Sequence, residues 1–200
     1  MKSRVVADLA ALPSHGQGSA SVTWWGTWAF MLIEGTGFAL GIAVYLYLLS
    51  IAPDWPLRAP VPDLRPGTII TVLLIASLIP NHVIATWAKQ QKLRHVQVGI
   101  VVMTASGIAP LVVRAFEFPA LGISWDSNAY GSVVWLLLGL HTTHLITDLV
   151  DTLVLAVIMF TRHGDNDRRF GDIEDNAMYW NFVVLTWLPL YGCIYWIPRL

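Results

Sequence analysis

Five apolar runs, each close to or beyond the roughly 20 residues that cross a bilayer, leave this chain few folds to choose from. They extend from about Trp24 to Ile51, Thr68 to Ala88, His95 to Ala115, Ala129 to Thr161, and Ala177 to Ile197. Hydrocarbon offers the backbone no water to bond, so segments of this length must be helices. The expectation is an all-α integral membrane protein, a bundle of five transmembrane helices. Composition agrees: 56% of residues are hydrophobic and 12% charged, against about 25% charged in a soluble domain. Ten tryptophans suit membrane interfaces. A net charge of −1 leaves no electrostatic footprint for nucleic acid. The single cysteine, Cys193, rules out an intrachain disulfide and any cysteine-ligated zinc or iron–sulfur site within one chain.

The polar breaks between the runs set topology. "APDWPLRAPVPDLRPG" is rich in proline, which lacks the N–H a helix needs. "KQQKLR" reads as a short basic turn, "FEFPALGISWDSN" as a loop holding Glu117 and Asp126, and "RHGDNDRRFGDIED" as an aqueous segment. Pro80 is expected to kink the second helix. The fourth run is longer than one crossing needs, so it should tilt or project into water. Lys2, Arg4, Lys89, Lys92, Arg94, Arg162, Arg168 and Arg169 fall on one side, and Arg58, Arg65, Arg114 and Arg199 on the other. Basic residues favour the cytoplasm, which puts the N-terminus inside and the C-terminus outside. Residues 1–22 read as a cytoplasmic arm, not a signal peptide, because Asp8 breaks a short apolar run. Residues 23–200 then form the membrane domain, without internal repeat.

Ionisable residues inside the apolar runs are the candidate functional groups, because each is costly in hydrocarbon. An ionised Glu34 at mid-membrane would cost on the order of 3 kcal/mol. It should face protein or water, where it serves either as a proton-exchanging carboxylate or as a hydrogen-bonded member of a helix seam. Gly37 and Gly41 lie near it and would let a neighbouring helix approach. His141, His144, Asp148 and Asp151 are spaced +3, +4, +3, which places them on one helix face. Imidazole and carboxylate at that spacing suit zinc, iron or copper, with His82 and Glu34 as the further donors a single helix could not supply. The competing reading is a polar seam satisfied by Thr142, Thr143, Thr147 and water, with both aspartates towards the cytoplasmic surface. His82 and His95 are too interrupted by "KQQKLR" to pair across haems. Glu117 and Asp126 read as loop anchors. No phosphate loop or nucleophile–base motif is present, and no broken-helix pair suggests a transporter.

Several segments, in order, resemble subunit III of the haem–copper respiratory oxidases, the cytochrome c and quinol oxidases. The likeness covers about residues 23–198 and is closest to the small form with five spans. "WWGTWAFMLIEGTGFALGIAVYLYL" is similar to the first span common to the family, and puts Glu34 on its membrane-buried carboxylate. "RAFEFPALGIS" resembles the segment around the family's external glutamate, so Glu117 takes that place. "YGSVVWLLLGLHTTH" matches a Tyr-Gly-Ser helix ending in two histidines, here His141 and His144. "FGDIEDNAMYWNFVVLTWLPLYGCIYWIP" resembles the C-terminal signature, with Glu174 on its glutamate. Four such segments in order are fairly specific.

The resemblance implies a subunit that is not catalytic alone but belongs to an oxidoreductase complex of aerobic electron transport. It implies no cofactor on this chain, with haem and copper on partner subunits, contact with subunit I and indirectly subunit II, bound phospholipid, and support of proton uptake. It also implies a bacterial cytoplasmic membrane. Glu34 with His141 or His144 would be the buried polar centre. The chain departs from the pattern in five places. Asn181 and Val184 stand where the family has His and Asp, Asp148 and Asp151 stand where it has small or apolar residues, and "ISWDSNAYGS" holds an extra residue around Asp126. These departures leave two alternatives open: an accessory subunit of a nitric oxide reductase-type complex, and an independent metal-binding membrane protein using the stripe.

Overall fold

A computed structural model describes residues 22–162 and 164–200. The arm expected over residues 1–22, except for Val22, and His15 and His163, lie outside the described residues. The described residues form five long helices: α1 (Val22–Ile51), α2 (Leu64–Lys89), α3 (Leu93–Ala120), α4 (Ala129–Met159) and α5 (Asp167–Tyr191). A π turn (Gly192–Trp196) and a short 3-10 turn (Ile197–Arg199) close the chain. All five helices are long and apolar enough to cross a membrane.

Their starts are chemically marked. Asp63 caps α2 by accepting from the Arg65 N–H at 3.1 Å. Asn128 caps α4 through the Gly131 N–H at 2.9 Å, and Asn166 caps α5 through the Arg168 N–H at 3.0 Å. Each cap satisfies one of the N–H groups that a helix start leaves orphaned.

Of the boundaries that differ from the sequence reading, two change where polar residues sit. The third helix does not end at Ala115 but continues through Pro119, so Glu117 is a helical residue and not part of a loop. The fifth begins at Asp167, ten residues before Ala177, and takes in much of the segment read as aqueous. The fifth starts early because Asn166 caps it and Phe170, Ile173 and Ala177 bury one of its faces; in the third, the bilayer decides. Proline costs a helix one hydrogen bond, whereas leaving the helix inside a bilayer strands several backbone groups. Pro80, Pro110, Pro119 and Pro189 all sit within helices.

Helices α2, α3, α4 and α5 pack in a ring, each against the next and α5 against α2, while α1 lies across α4 and α5. The α2–α5 seam is an antiparallel ladder of polar pairs. Thr68 Oγ1 meets the Tyr191 hydroxyl at 2.8 Å. Trp187 Nε1–H donates to Thr71 Oγ1, and Trp180 Nε1–H to Ser77 Oγ, both at 2.8 Å. Asn81 Nδ2 donates to the Ala177 carbonyl at 2.8 Å and to Asn181 Oδ1 at 2.9 Å. The register is thus set by polar pairs that run in both directions between α2 and α5, in a medium where an unmatched partner is expensive. The outward faces carry Leu32, Ile33, Ile79, Val98, Phe116 and Val157, all well exposed, as lipid or a protein neighbour requires.

Gly67 is a close-approach position. A Cβ there would lie 2.4 Å from the ring of Tyr195, itself fully buried. Gly67→Ala should therefore destabilise the bundle by about 1–3 kcal/mol, the usual cost of overpacking. Thermal unfolding in mild detergent checks this, with Gly26→Ala, where a Cβ meets nothing within 4 Å, as the neutral control.

Candidate functional site

The expected single polar centre is two adjoining centres, in which neighbouring positions of α4 meet different partners. The first lies between α1, α4 and α5. Glu34 Oε1 is 3.2 Å from His144 Nε2, and Glu34 Oε2 accepts from the Tyr179 hydroxyl at 2.7 Å. The other ring nitrogen, His144 Nδ1, faces the Leu140 carbonyl at 2.6 Å. A carbonyl only accepts, so Nδ1 carries a hydrogen. A proton must then lie between Glu34 Oε1 and His144 Nε2, held either as a carboxylic acid or as an imidazolium. The Phe38 ring, 4.7 Å from that of His144, closes the site on the inner side. Gly41 seats α1 here: a Cβ would meet Leu137 of α4 at 2.8 Å. Gly37 does not contribute, since a Cβ there meets nothing within 4 Å.

The second centre lies between α3, α4 and the end of α5. Arg114 and Glu117, both buried, form an ion pair at 2.5 Å one turn apart on α3. The Tyr195 hydroxyl donates to the other carboxylate oxygen. Arg114 Nη2 also donates to His141 Nδ1 at 3.0 Å, and His141 Nε2 faces the Val183 carbonyl at 3.0 Å. Guanidinium only donates and carbonyl only accepts, so His141 is neutral with its hydrogen on Nε2. The guanidinium carbon sits 4.4 Å from the centre of the Trp187 ring, a cation–π contact. This geometry overturns two expectations. Glu117 is not a loop anchor, and Arg114, counted among the basic residues that orient the chain, is buried in an ion pair. Without it, the smaller of the two basic groups is Arg58, Arg65 and Arg199.

The stripe on α4 is divided among different surroundings. His141 and His144 belong to separate centres. Asp148, expected towards the cytoplasmic surface, is only 2% exposed, and its Oδ1 has no hydrogen-bond partner among the described residues. Asp151 is exposed, and its Oδ2 accepts from Asn176 Nδ2 at 3.0 Å. Thr142, Thr143 and Thr147 do not satisfy the stripe, because each hydroxyl bonds a carbonyl of its own helix. Nor are the candidate metal ligands gathered. Among the described residues no three His, Cys, Asp or Glu side chains converge to hold a metal. His82 is exposed on α2, on the wall of a different cavity that also holds Glu174.

Arg114, Tyr179 and Tyr195 were not singled out from the sequence. One signal was available: Arg114 and Glu117 are three apart in an otherwise apolar stretch, the spacing of a helical ion pair. The proline after them suggested a loop, which hid it.

The family model described as "Cytochrome c oxidase subunit III" matches residues 15–198. The chain is 30% identical over 155 residues to a protein named cytochrome c oxidase subunit 3 of Heterololigo bleekeri, covering 74% of this chain and 60% of that one. It is 29% identical over 182 residues to the namesake of Drosophila yakuba, covering 86% and 68%. It is 26% identical over 189 residues to that of a Synechocystis strain, covering 91% and 79%. The chain thus spans about three fifths of the length of the Heterololigo relative.

Breaking the second centre should be costly, because it leaves a buried charge alone. Glu117→Ala is expected to destabilise the protein by about 3–5 kcal/mol. Asp151→Ala, at an exposed carboxylate, should change stability by no more than about 0.5 kcal/mol. Denaturation in detergent, followed by tryptophan fluorescence, compares the two.

Proposed function

The chain belongs to the cytochrome c oxidase subunit III family, and on that premise we propose that it is a non-catalytic subunit of a haem–copper terminal oxidase in aerobic electron transport. Haem and copper sit on the partner subunits in this reading. The chain packs beside the catalytic subunit I, stabilises it and sustains its proton uptake. The observation that carries the reading is the family match over residues 15–198, nearly the whole chain. The well-exposed apolar faces of the bundle supply the surface such a partner would cover.

Residues 23–200 act as one membrane domain, with residues 1–22 as a cytoplasmic arm. The chain is placed N-terminus inside in a bacterial cytoplasmic membrane. The basic turns Lys89–Arg94 and Arg162–Arg169 support that orientation.

Phospholipid binding has its own support. A polar cavity of about 690 Å³ is walled by Trp24, Asn81, His82, Lys89, Glu174 and Asp175. It shares Met178 and Asn181 with an apolar groove of about 560 Å³ between α1 and α5. A headgroup carrying both phosphate and ammonium would meet Lys89 and Glu174, and its acyl chain would lie along Met31, Leu32 and Phe182.

Purification in mild detergent tests the reading: a haem-bearing subunit should come down with the chain. A nitric oxide reductase-type partner, or metal bound to the isolated chain, would replace it with one of the alternatives. Within the complex, Glu34→Ala should leave haem content unchanged but shorten the number of turnovers before inactivation. Haem absorbance and the decay of oxygen consumption measure the two, and an unaltered lifetime would remove the role given to Glu34.

A further inference from the structure

At the end of the bundle that carries the α4–α5 loop, a cavity of about 470 Å³ opens between the start of α1, the end of α4 and the start of α5. Four carboxylates line it: Asp148 and Asp151 from α4, Asp172 and Asp175 from α5. Among the described residues its one basic residue, Arg169, is taken up by Asp172 at 2.9 Å. Two of the carboxylates have a buried oxygen with no hydrogen-bond partner among the described residues, Asp148 Oδ1 and Asp175 Oδ2. Asp148 is 2% exposed and Asp175 9%. These lone acceptors border the cavity, and among the described residues no three ligands converge on a metal ion there. The cavity is polar and roomy enough for several waters, which can satisfy them.

The cavity also reaches the first polar centre. Its inner wall includes Tyr179, whose hydroxyl donates to Glu34 Oε2 at 2.7 Å. Asp148 lies eleven residues inside the end of α4, about 16 Å along the axis, and His144 is one turn deeper. The charged and titratable groups facing this path are therefore Glu34 from α1, His144, Asp148 and Asp151 from α4, and Arg169, Asp172, Asp175 and Tyr179 from α5.

We propose that this cavity is a hydrated proton intake, with Asp148 as its inner carboxylate, loading the Glu34–His144 pair through Tyr179. The step balances as follows. A proton from cavity water is taken up at Asp148 and passed by water to the Tyr179 oxygen. Tyr179 releases its own hydroxyl proton to Glu34 Oε2. The pair, which already holds one proton on the Oε1–Nε2 line, becomes a neutral Glu34 carboxyl beside a protonated His144. Discharge reverses the sequence. The role rests on the chain's own residues, Asp148 above all, and deepens the proton-supply part of the proposed function.

The test is infrared spectroscopy of the protein in lipid nanodiscs, with whatever partners co-purify. The carbonyl stretch of protonated Glu34, assigned by its loss in Glu34→Gln, is followed as the medium is switched to D2O. Asp148→Asn should slow its exchange by about a hundredfold, the usual scale for removing a positioned proton-transfer group. Asp126→Asn, at an exposed carboxylate on the α3–α4 loop at the other end of the bundle, should leave the rate unchanged. Unchanged exchange in Asp148→Asn overturns the proposal, as does equal slowing in Asp126→Asn. So does the absence of a protonated Glu34 band at every pH. If Asp148→Asn does not fold, Val154→Phe, which narrows the cavity without touching a titratable group, decides in the same way. The subunit assignment fails by a different readout, the lack of a haem-bearing partner.

Discussion

The Arg114–Glu117 pair is the interaction on which the rest of the bundle depends. Two full charges lie buried in a medium that cannot solvate them, and their cost is offset by the partners their other donors and acceptors find, although Arg114 Nε has none among the described residues. Those partners come from elsewhere in the chain: His141 of α4, Tyr195 and the Val183 carbonyl near the end of α5, and the Trp187 ring. Three helices are thereby held in one register. Gly67 of α2 completes the arrangement, since only a residue without a Cβ leaves room for the Tyr195 ring.

The two polar centres differ in what they can do. The one around Arg114 is fixed by its partners. His141 has its hydrogen assigned by a donor-only and an acceptor-only neighbour, so it holds geometry and has no proton to exchange. The one around Glu34 retains a choice, because its shared proton can rest on either the carboxyl or the imidazole. It is also the one that adjoins an acidic cavity, through Tyr179. Phe38 sits near both histidines and lies between a fixed site and a labile one.

The departures from the family pattern make sense in pairs. Asn181 in place of histidine receives the Asn81 amide and so keeps a polar rung on the α2–α5 ladder. Val184 in place of aspartate is fully packed, and needs no partner. Asp148 adds a buried acid on α4, and its unmatched oxygen faces the cavity.

Length and hydropathy alone determined the five helices, because a bilayer admits no other backbone for runs this apolar. The sequence also pointed to Glu34, His141 and His144 as buried polar residues, since ionisable groups in such runs stand out against their cost. It did not show that the two histidines serve different neighbours, because helical spacing groups residues by face but does not say which helix that face meets. Glu117 was misplaced for a related reason. Pro119 is a local break signal, and only the packed bundle, where unbonded backbone is dearer than a proline, shows the helix continuing through it. The depth of Asp148 and the cavity at its side likewise follow from where α1 and α5 lie against α4, which no single helix specifies.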